Sequence, residues 1–536
     1  MNISYKRKII ITALIIFLLA VAVRSAPVVY KRYSHKLSYY HLVAARNLAE
    51  SGKFAVESEK NVVLSSHRIG QEGATPKNIA HEYTPVIYGW IFKLFGFGQT
   101  YPLYISMALY ALGNVLLFFL ILKIFNYRAA IIFSIIDILC PIIIVWSNVA
   151  GSYDLAMFFF ILALFAYFYQ EKAKPHLLVI SGLLLGVAAL CRTPFLFSVI
   201  PLASYELIQN RSLRRFFIFT IPFSLVFLGL FGFNFLFSSH SGAPVGAVNF
   251  DGHLFRDPYT FHFEKEKYFQ QVGASNNADM IGYLRAYGQH LSLKQQLWFR
   301  ISSARYYLIY TFRLITFGGV VMVFLAGLGF YYLFKIKKNL FWLALIWLIS
   351  CFGIHILIGT SNHDHFLEVR FPVILLMTGG FLLFFQFIEK QKIPTKTVNI
   401  LFVLIMTVVV LHLTEANKWS FHEMYSNSES SQLKEVIDIL KEHRDEMSDS
   451  DVVAVSFSEV APIIFNYYTN KSFVYFAPET IQELIKQNKL QDGFDYFGVT
   501  KIVGYSPAFS DEIMKNARVG NITSYVPEEC TLYSTY

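Results

Sequence analysis

Residues 36–54 read KLSYYHLVAARNLAESGKF and residues 81–96 read HEYTPVIYGWIFKLFG. Both pieces place Tyr, Leu, Ala and Ile at the spacing of short amphipathic helices. Neither is the run of about 20 apolar residues that a bilayer crossing needs. They lie between two long apolar runs, Ile9 to about Val29 and Tyr101 to Leu122. Long loops inside compact proteins tend to be functional or disordered, and the periodic aromatic and aliphatic positions argue against disorder. The stretch from Lys36 to Pro85 is therefore read as an ordered loop at a membrane surface, with the rest of the chain arranged around it.

The composition supports the membrane setting. Hydrophobic residues make up 55% of the 536 residues and charged residues 15%, with 53 Phe and 33 Tyr, which is too apolar for one soluble globule. Of the four cysteines, Cys140, Cys191 and Cys351 fall inside apolar runs and Cys530 in a polar segment, so neither a disulfide framework nor a zinc spacing follows. The formal charge of +10 is dispersed in short clusters between apolar runs. That is the distribution of a positive-inside topology, and it excludes a nucleic-acid footprint.

Span length and charge give the topology. Lys6, Arg7 and Lys8 precede the first apolar run, which is long enough to span and is read as an uncleaved first helix with a cytoplasmic N-terminus. Further spans are expected near 101–122, 129–146, 154–169, 177–190, 194–208, 216–237, 306–334, 340–358, 371–388 and 398–414, about eleven in all. Alternate connections carry Lys123 and Arg128, Lys172 and Lys174, Arg211 with Arg214 and Arg215, Lys335 with Lys337 and Lys338, and Lys390 with Lys392 and Lys396. All fall on the cytoplasmic side under one orientation. The longer polar segments, about 30–100 and 239–305, then lie outside.

From Glu415 the composition becomes that of a soluble protein, which divides the chain into a transmembrane part, 1–414, and a C-terminal part, 415–536. Gln432 to His443 places Leu433, Val436, Ile437 and Leu440 on one helical face. DVVAVSF, EVAPIIFNYYT, SFVYF, PETIQELIKQN and TKIVGY follow, alternating strand and helix patterns that predict a small extracytoplasmic α/β domain. No Gly-rich phosphate loop occurs in it. With the outer loops it puts the working face outside the cytoplasm.

Several segments resemble a known family. YYHLVAARNLAESGKF, the Pro-containing EYTPVIYGWIFKLFG, HLLVISGLLLGVAALCRTPFLFSVIPL and EVRFPVILLM after NHDHFLEVR look like the GT-C membrane glycosyltransferases. They are most similar to the bacterial branch that resembles protein mannosyltransferases and the aminoarabinose transferases of lipid A. GLLLGVAALCRTP is the most specific match, and the resemblance runs from about residue 9 to 415. It implies a polytopic α-helical GT-C architecture, a polyprenyl-phosphate-sugar donor, and transfer to a glycan, lipid or protein acceptor at the outer face of the cytoplasmic membrane. The family places an acidic residue near the start of the first outer loop, ahead of the Tyr pair. Here those positions are Lys36, Leu37 and Ser38, and no carboxylate stands there.

Transfer from a glycosyl phosphate needs a base for the acceptor hydroxyl and positive charge or hydrogen bonds for the departing phosphate. The expected bases are Asp154, in NVAGSYDLAMF, and Glu82, in HEYTP, ahead of Glu57, Glu59 and Glu72. Asp154 opens a helix, where the dipole alone also favours a carboxylate. Arg192 lies between two apolar spans, where an unpaired charge costs about 2.5–3.5 kcal/mol on insertion scales; a donor phosphate would satisfy it, as would helix C-terminal carbonyls. Arg370 beside Glu368 invites the same reading, with an exposed ion pair as the alternative. Tyr39, Tyr40 and Tyr83 are placed to stack on a sugar ring. His363, Asp364 and His365 offer ligands for a divalent metal, although without a defined fourth ligand a polar loop is the simpler reading. Asp137, inside IIFSIIDILCP, must find a partner or be protonated; a helix-packing hydrogen bond is the simpler reading, a proton pathway the other.

The competing class is a lipid flippase, a transporter or a non-catalytic protein that binds a lipid-linked sugar. Transporters tend to show internal repeats and helix breaks near the midplane; here no repeat is evident and the polar residues gather at one face.

Overall fold

A computed structural model of the protein describes residues 3–29, 39–52, 63–65, 83–140, 151–169 apart from 152, 175–238, 319–358 and 367–426 apart from 392. In the C-terminal segment it describes 436–455 apart from 439 and 443, 461–475, 484–502 and 520–521; Lys294, Ile301 and Ile309 are isolated described positions. The chain is mostly helical. The first part contains α1 (Ile3–Val29), α2 (Tyr39–Ser51), α3 (Thr84–Phe95), α4 (Tyr101–Ile124), α5 (Tyr127–Ile138), α6 (Tyr153–Tyr169) and α7 (His176–Cys191). After a 3-10 turn at Thr193–Ser198 come α8 (Val199–Ile208), α9 (Leu213–Ser238), α10 (Val320–Ile336), α11 (Lys338–Ile358), α12 (Arg370–Lys390) and α13 (Thr395–Ser426).

Four described helices are long and apolar enough to cross a membrane: Ser4–Ser25, Tyr101–Ile124, Leu367–Lys390 and Thr395–Glu415. Tyr153–Tyr169, His176–Cys191 and Val321–Ile336 are apolar but shorter. The boundaries expected at 101–122, 154–169, 177–190, 216–237, 340–358 and 371–388 hold within a few residues. In the span expected at 129–146 the helix ends at Ile138, Leu139 lying in a turn two positions ahead of a proline in the sequence, which disfavours helix just before it. The expected span at 194–208 begins as a 3-10 turn, because Pro194 follows Thr193 where α7 has ended and has no N–H to continue its ladder. α13 runs past Glu415 to Ser426, so the change in composition there does not break the helix.

The membrane helices pack through small residues, as expected where lipid removes the hydrophobic drive and close backbone approach supplies dispersion contacts. A methyl group at Gly329 of α10 would overlap the Leu376 carbonyl of α12, and one at Gly380 would overlap the Leu325 carbonyl. Gly182 does the same for α7 against α9, at the Phe219 carbonyl, and a Cβ at Gly186 would press on Val226 at 2.9 Å. Outward positions such as Ile10, Leu14 and Leu18 on α1 or Val403, Leu404 and Leu411 on α13 remain exposed, as lipid-facing side chains must.

The basic connections converge on one end of the bundle. Lys8 sits over the Tyr127 ring, Lys123 over Tyr169 and Lys337 over Phe125. Arg128 pairs with Glu389 and donates to Asn399 Oδ1 at 3.0 Å. At the same ends of α8 and α9, Arg215 Nε donates to the buried Glu206 at 2.8 Å. The positive-inside pattern is thus a spatial cluster.

The C-terminal segment contributes β2 (Val452–Val455), α14 (Ala461–Thr469), β3 (Ser472–Tyr475), α15 (Leu490–Phe497), β4 (Lys501–Ile502) and β5 (Gly520–Asn521). These strands form a parallel sheet in the order β1-β3-β2-β4-β5, and its first strand, β1 (Val63–Ser65), comes from the stretch between α2 and α3. Parallel neighbours need a crossover; α14 links β2 to β3 and α15 precedes β4. The strand and helix patterns at 451–476 form as expected. β1 and α15 do not announce themselves: VLS is too short to show alternation, and among the described side chains of α15 Leu490 and Phe494 are those that reach the core.

Candidate functional site

Three elements meet at the end of the bundle opposite the basic cluster: α3, the start of α6 and the end of α7. α3 begins with Thr84-Pro85, a proline at the helix start where a missing N–H costs nothing. It buries Thr84, Pro85, Tyr88, Gly89 and Phe92 and leaves Trp90, Leu94 and Phe95 exposed, the division of a helix lying in an interface. Its start is fixed to α7: the Tyr83 N–H donates to the Leu190 carbonyl at 3.0 Å, and Thr84 Oγ1 donates to the Cys191 carbonyl at 3.1 Å. The expected Tyr83 therefore lies beside the residue that precedes Arg192. Burial raises the Tyr83 phenol to about 12.

Asp154 opens α6 and is 4% exposed. Its Oδ2 accepts from the Tyr88 hydroxyl, and its Oδ1 accepts from the Gly151 N–H at 3.2 Å. Burial and the neighbouring carboxylate push the Tyr88 phenol well above its ordinary value, so it remains a donor. Gly151 has φ +87°, and a Cβ there would stand 2.8 Å from Leu42 of α2; both the backbone angle and the close approach require glycine. Next to it, Arg192 donates to the Tyr153 hydroxyl and its guanidinium lies 4.3 Å from the Tyr153 ring centroid. A cleft lined by Leu109, Tyr110, Asp154, Met157, Phe158 and Ile161 opens beside the carboxylate.

Tyr110 connects that cleft to a second buried cluster. Its hydroxyl donates to the Asp137 carbonyl at 3.3 Å, and the Arg24 guanidinium stacks 3.8 Å from its ring centroid. Arg370 Nε stands 3.6 Å from Asp137 Oδ1, and both side chains are buried. The alternative reading of Arg370, an exposed ion pair with Glu368, does not fit, because both side chains are buried and Arg370 faces Asp137 across α12 and α5, α12 being packed on nearly all sides. Glu368 is buried beside Cys351 Sγ, at 3.9 Å. The partner that Asp137 required is thus an arginine.

Asp154, Arg192 and Tyr83 are brought to one region, and Arg370 belongs to the neighbouring cluster. Tyr39 is buried elsewhere, edge-on to Tyr467 and Tyr468 and with its hydroxyl 3.2 Å from that of Tyr468. Tyr40 follows it as the second residue of α2. Glu82, with Glu57, Glu59 and Glu72, lies outside the described residues, as do His363, Asp364 and His365. Tyr88, Tyr153 and Gly151 are the residues that sequence reasoning missed. Each sits within a few positions of a residue it singled out, and Gly before a helix start was the one available signal.

Residues 84–236 match the family model described as dolichyl-phosphate-mannose-protein mannosyltransferase. Two solved structures superpose on the chain. Archaeal oligosaccharyltransferase AglB from Archaeoglobus fulgidus, in complex with an inhibitory peptide and a dolichol-phosphate, does so with a TM-score of 0.55 at 11% identity, over 93% of this chain and 69% of that one. The Archaeoglobus fulgidus oligosaccharyltransferase in complex with Zn and sulfate gives 0.50 at 12% identity, over 85% of this chain and 62% of that one.

The chain has the GT-C fold. The matched segment of this GT-C chain carries Tyr88, Asp154 and Arg192 together, so the family likeness falls on the elements that build the site. No curated protein sequence matches the chain. Among the described residues no group of three or more His, Cys, Asp or Glu side chains is placed to hold a metal.

Proposed function

We propose that this protein transfers a sugar from a polyprenyl-phosphate-linked donor to a hydroxyl of a glycan, lipid or protein acceptor, at the outer face of the cytoplasmic membrane. The N-terminus and the basic cluster face the cytoplasm, about eleven spans form the GT-C part at 1–414, and the α/β domain at 415–536 is extracytoplasmic. The branch is the bacterial one that resembles protein mannosyltransferases and aminoarabinose transferases. The observation that carries this reading is the buried Asp154 carboxylate, held by Tyr88 and Gly151 beside the Arg192–Tyr153 pair.

In this reading Asp154 takes the proton of the acceptor hydroxyl as its oxygen bonds to the anomeric carbon. The bond from that carbon to the phosphate oxygen breaks, and polyprenyl phosphate leaves with the electron pair. Arg192 stabilises the charge that grows on the phosphate, where a preorganised donor is worth most, and Arg370 adds positive charge from the neighbouring cluster. Glu82 is the alternative base. Tyr83 lines the acceptor side; Tyr39 and Tyr40 support the wall of the loop.

The test is release of free polyprenyl phosphate by purified protein in liposomes, using undecaprenyl-phosphate-linked hexoses with and without a hydroxyl acceptor. Release that depends on acceptor is expected. Movement of the intact lipid-linked sugar between leaflets without release would instead identify a flippase, and donor binding with neither outcome would identify a non-catalytic binding protein.

A further inference from the structure

The mechanism above leaves the buried Arg46 unused. Arg46 of α2 is 1% exposed, and its guanidinium reaches across to α14 of the C-terminal segment. Nη1 donates to the Asn466 carbonyl at 2.9 Å and to the Tyr467 carbonyl at 3.3 Å, and Nη2 donates to Asn466 Oδ1 at 2.7 Å. Those carbonyls belong to the last turn of α14, where the dipole is negative and the helical ladder runs out; the Asn466 carbonyl also accepts from the Asn470 N–H, at 2.8 Å, just past the helix end. Asn466 is itself fixed, its Nδ2 donating to the Lys471 carbonyl at 2.7 Å. Burial lowers the Arg46 guanidinium to about 10, still charged at neutral pH.

Two physical connections run from this joint to the Asp154 carboxylate. The first is α2 itself: Leu42 fills the space over Gly151, and Ala45 and Leu48 press on Gly89, next to Tyr88, with the nearest approach of a Cβ there 2.9 Å. The second is a chain of rings. Tyr467 meets Phe97 at 5.4 Å, Phe97 meets Phe92 at 5.1 Å and Phe92 meets Tyr88 at 6.0 Å between centroids. The turn between α3 and α4 is tied to the same helix, since Gln99 Nε2 donates to the Tyr468 carbonyl and the Tyr467 hydroxyl donates to the Gln99 carbonyl, each at 2.9 Å. Interiors packed this way pass on displacement because they have little free volume to absorb it.

We propose that Arg46 is a positioning residue that fastens the C-terminal helix Ala461–Thr469 to α2 and thereby holds Tyr88 and Gly151 in register with Asp154. The C-terminal segment is then a structural part of the site and not a detachable cap. This deepens the proposed transfer reaction, and only its kinetic arm rests on that reading.

The test compares wild type, Arg46→Met, Arg46→Lys and Asn466→Ala by hydrogen exchange and by turnover. The Gly151 amide reports the seat of Asp154 without any substrate. Its exchange is expected to rise about tenfold or more in Arg46→Met, with amides of His176–Cys191 unchanged, and to be partly restored in Arg46→Lys. The kcat for lipid-phosphate release is expected to fall about tenfold per folded molecule, with the donor KM within about twofold. Unchanged Gly151 exchange in a variant whose α14 amides have lost protection would overturn the proposal. So would a loss of turnover that only tracks the amount of folded protein. If wild type shows no turnover, the transfer reading fails while the exchange arm still decides the role of Arg46. Should Arg46→Met not fold, Asn466→Ala, which removes the Nη2 acceptor together with the amide's bond to the Lys471 carbonyl and keeps the two backbone acceptors of Nη1, decides it by the same two readouts.

Discussion

The hydroxyl of Tyr88 donates to Oδ2 of Asp154 across 66 positions of sequence. The bond orients the carboxylate and leaves the other oxygen to Gly151. A hydrogen bond to a charged acceptor is worth about 1.5–3 kcal/mol, and loss of a general base costs about 10²–10⁴-fold. Asp154→Asn should therefore lower kcat by about that factor, and Tyr88→Phe by roughly tenfold or more, with the donor KM little changed in either. Initial-rate measurements on the purified variants check this. Full activity in Asp154→Asn would move the base to Glu82.

Arg192 and Tyr153 form the second contact of the site. The guanidinium both stacks on the ring and donates to its hydroxyl. An arginine presents a planar fork of donors, and lysine a point charge, so the two substitutions separate charge from geometry. Arg192→Ala should weaken donor binding by about tenfold or more, and Arg192→Lys should lie between it and wild type. Equilibrium binding of undecaprenyl phosphate alone measures the effect. Equal affinity in all three proteins would place the phosphate elsewhere.

Arg370 and Asp137 pose a question of stability against function. Among the described residues neither Asp137 oxygen has a hydrogen-bond partner, so the arginine 3.6 Å away is the countercharge that keeps the carboxylate tolerable. Removing one member of a buried pair costs about 3–5 kcal/mol, whereas replacing both with apolar residues is often neutral. Arg370→Leu should markedly lower the unfolding temperature in detergent, and Arg370→Leu with Asp137→Leu should recover most of it. Turnover that recovers along with stability would confine Arg370 to a structural role; turnover that stays low would assign it to the donor phosphate.

The helices and the acidic start of α6 were legible because membrane crossing imposes length and apolarity on contiguous residues, and because an isolated charge among them is conspicuous. Asp154, Arg192 and Asp137 were found that way. The partners of Asp154 and Arg192 were not, since Tyr88 and Tyr153 are brought in by tertiary packing, and one Tyr among 33 carries no mark of its bond. The membership of β1 in the C-terminal sheet was hidden for a related reason. Its pairing joins Val63 to Phe473, and local periodicity cannot report a partner that far along the chain.

Gly329 and Gly380 give a test of the packing that holds the membrane part together. Added methyl groups would overlap the backbone carbonyls of Leu376 and Leu325, and unlike a flexible side chain these cannot turn aside. Overpacking of this kind costs about 1–3 kcal/mol. Gly329→Ala and Gly380→Ala should each lower the unfolding temperature. Gly327→Ala, whose Cβ would meet nothing within 4 Å, should leave it unchanged or raise it slightly, because alanine favours the helix by about 1 kcal/mol. Thermal unfolding of the three proteins in one detergent decides the matter: equal temperatures would mean that α10 and α12 are not in backbone contact.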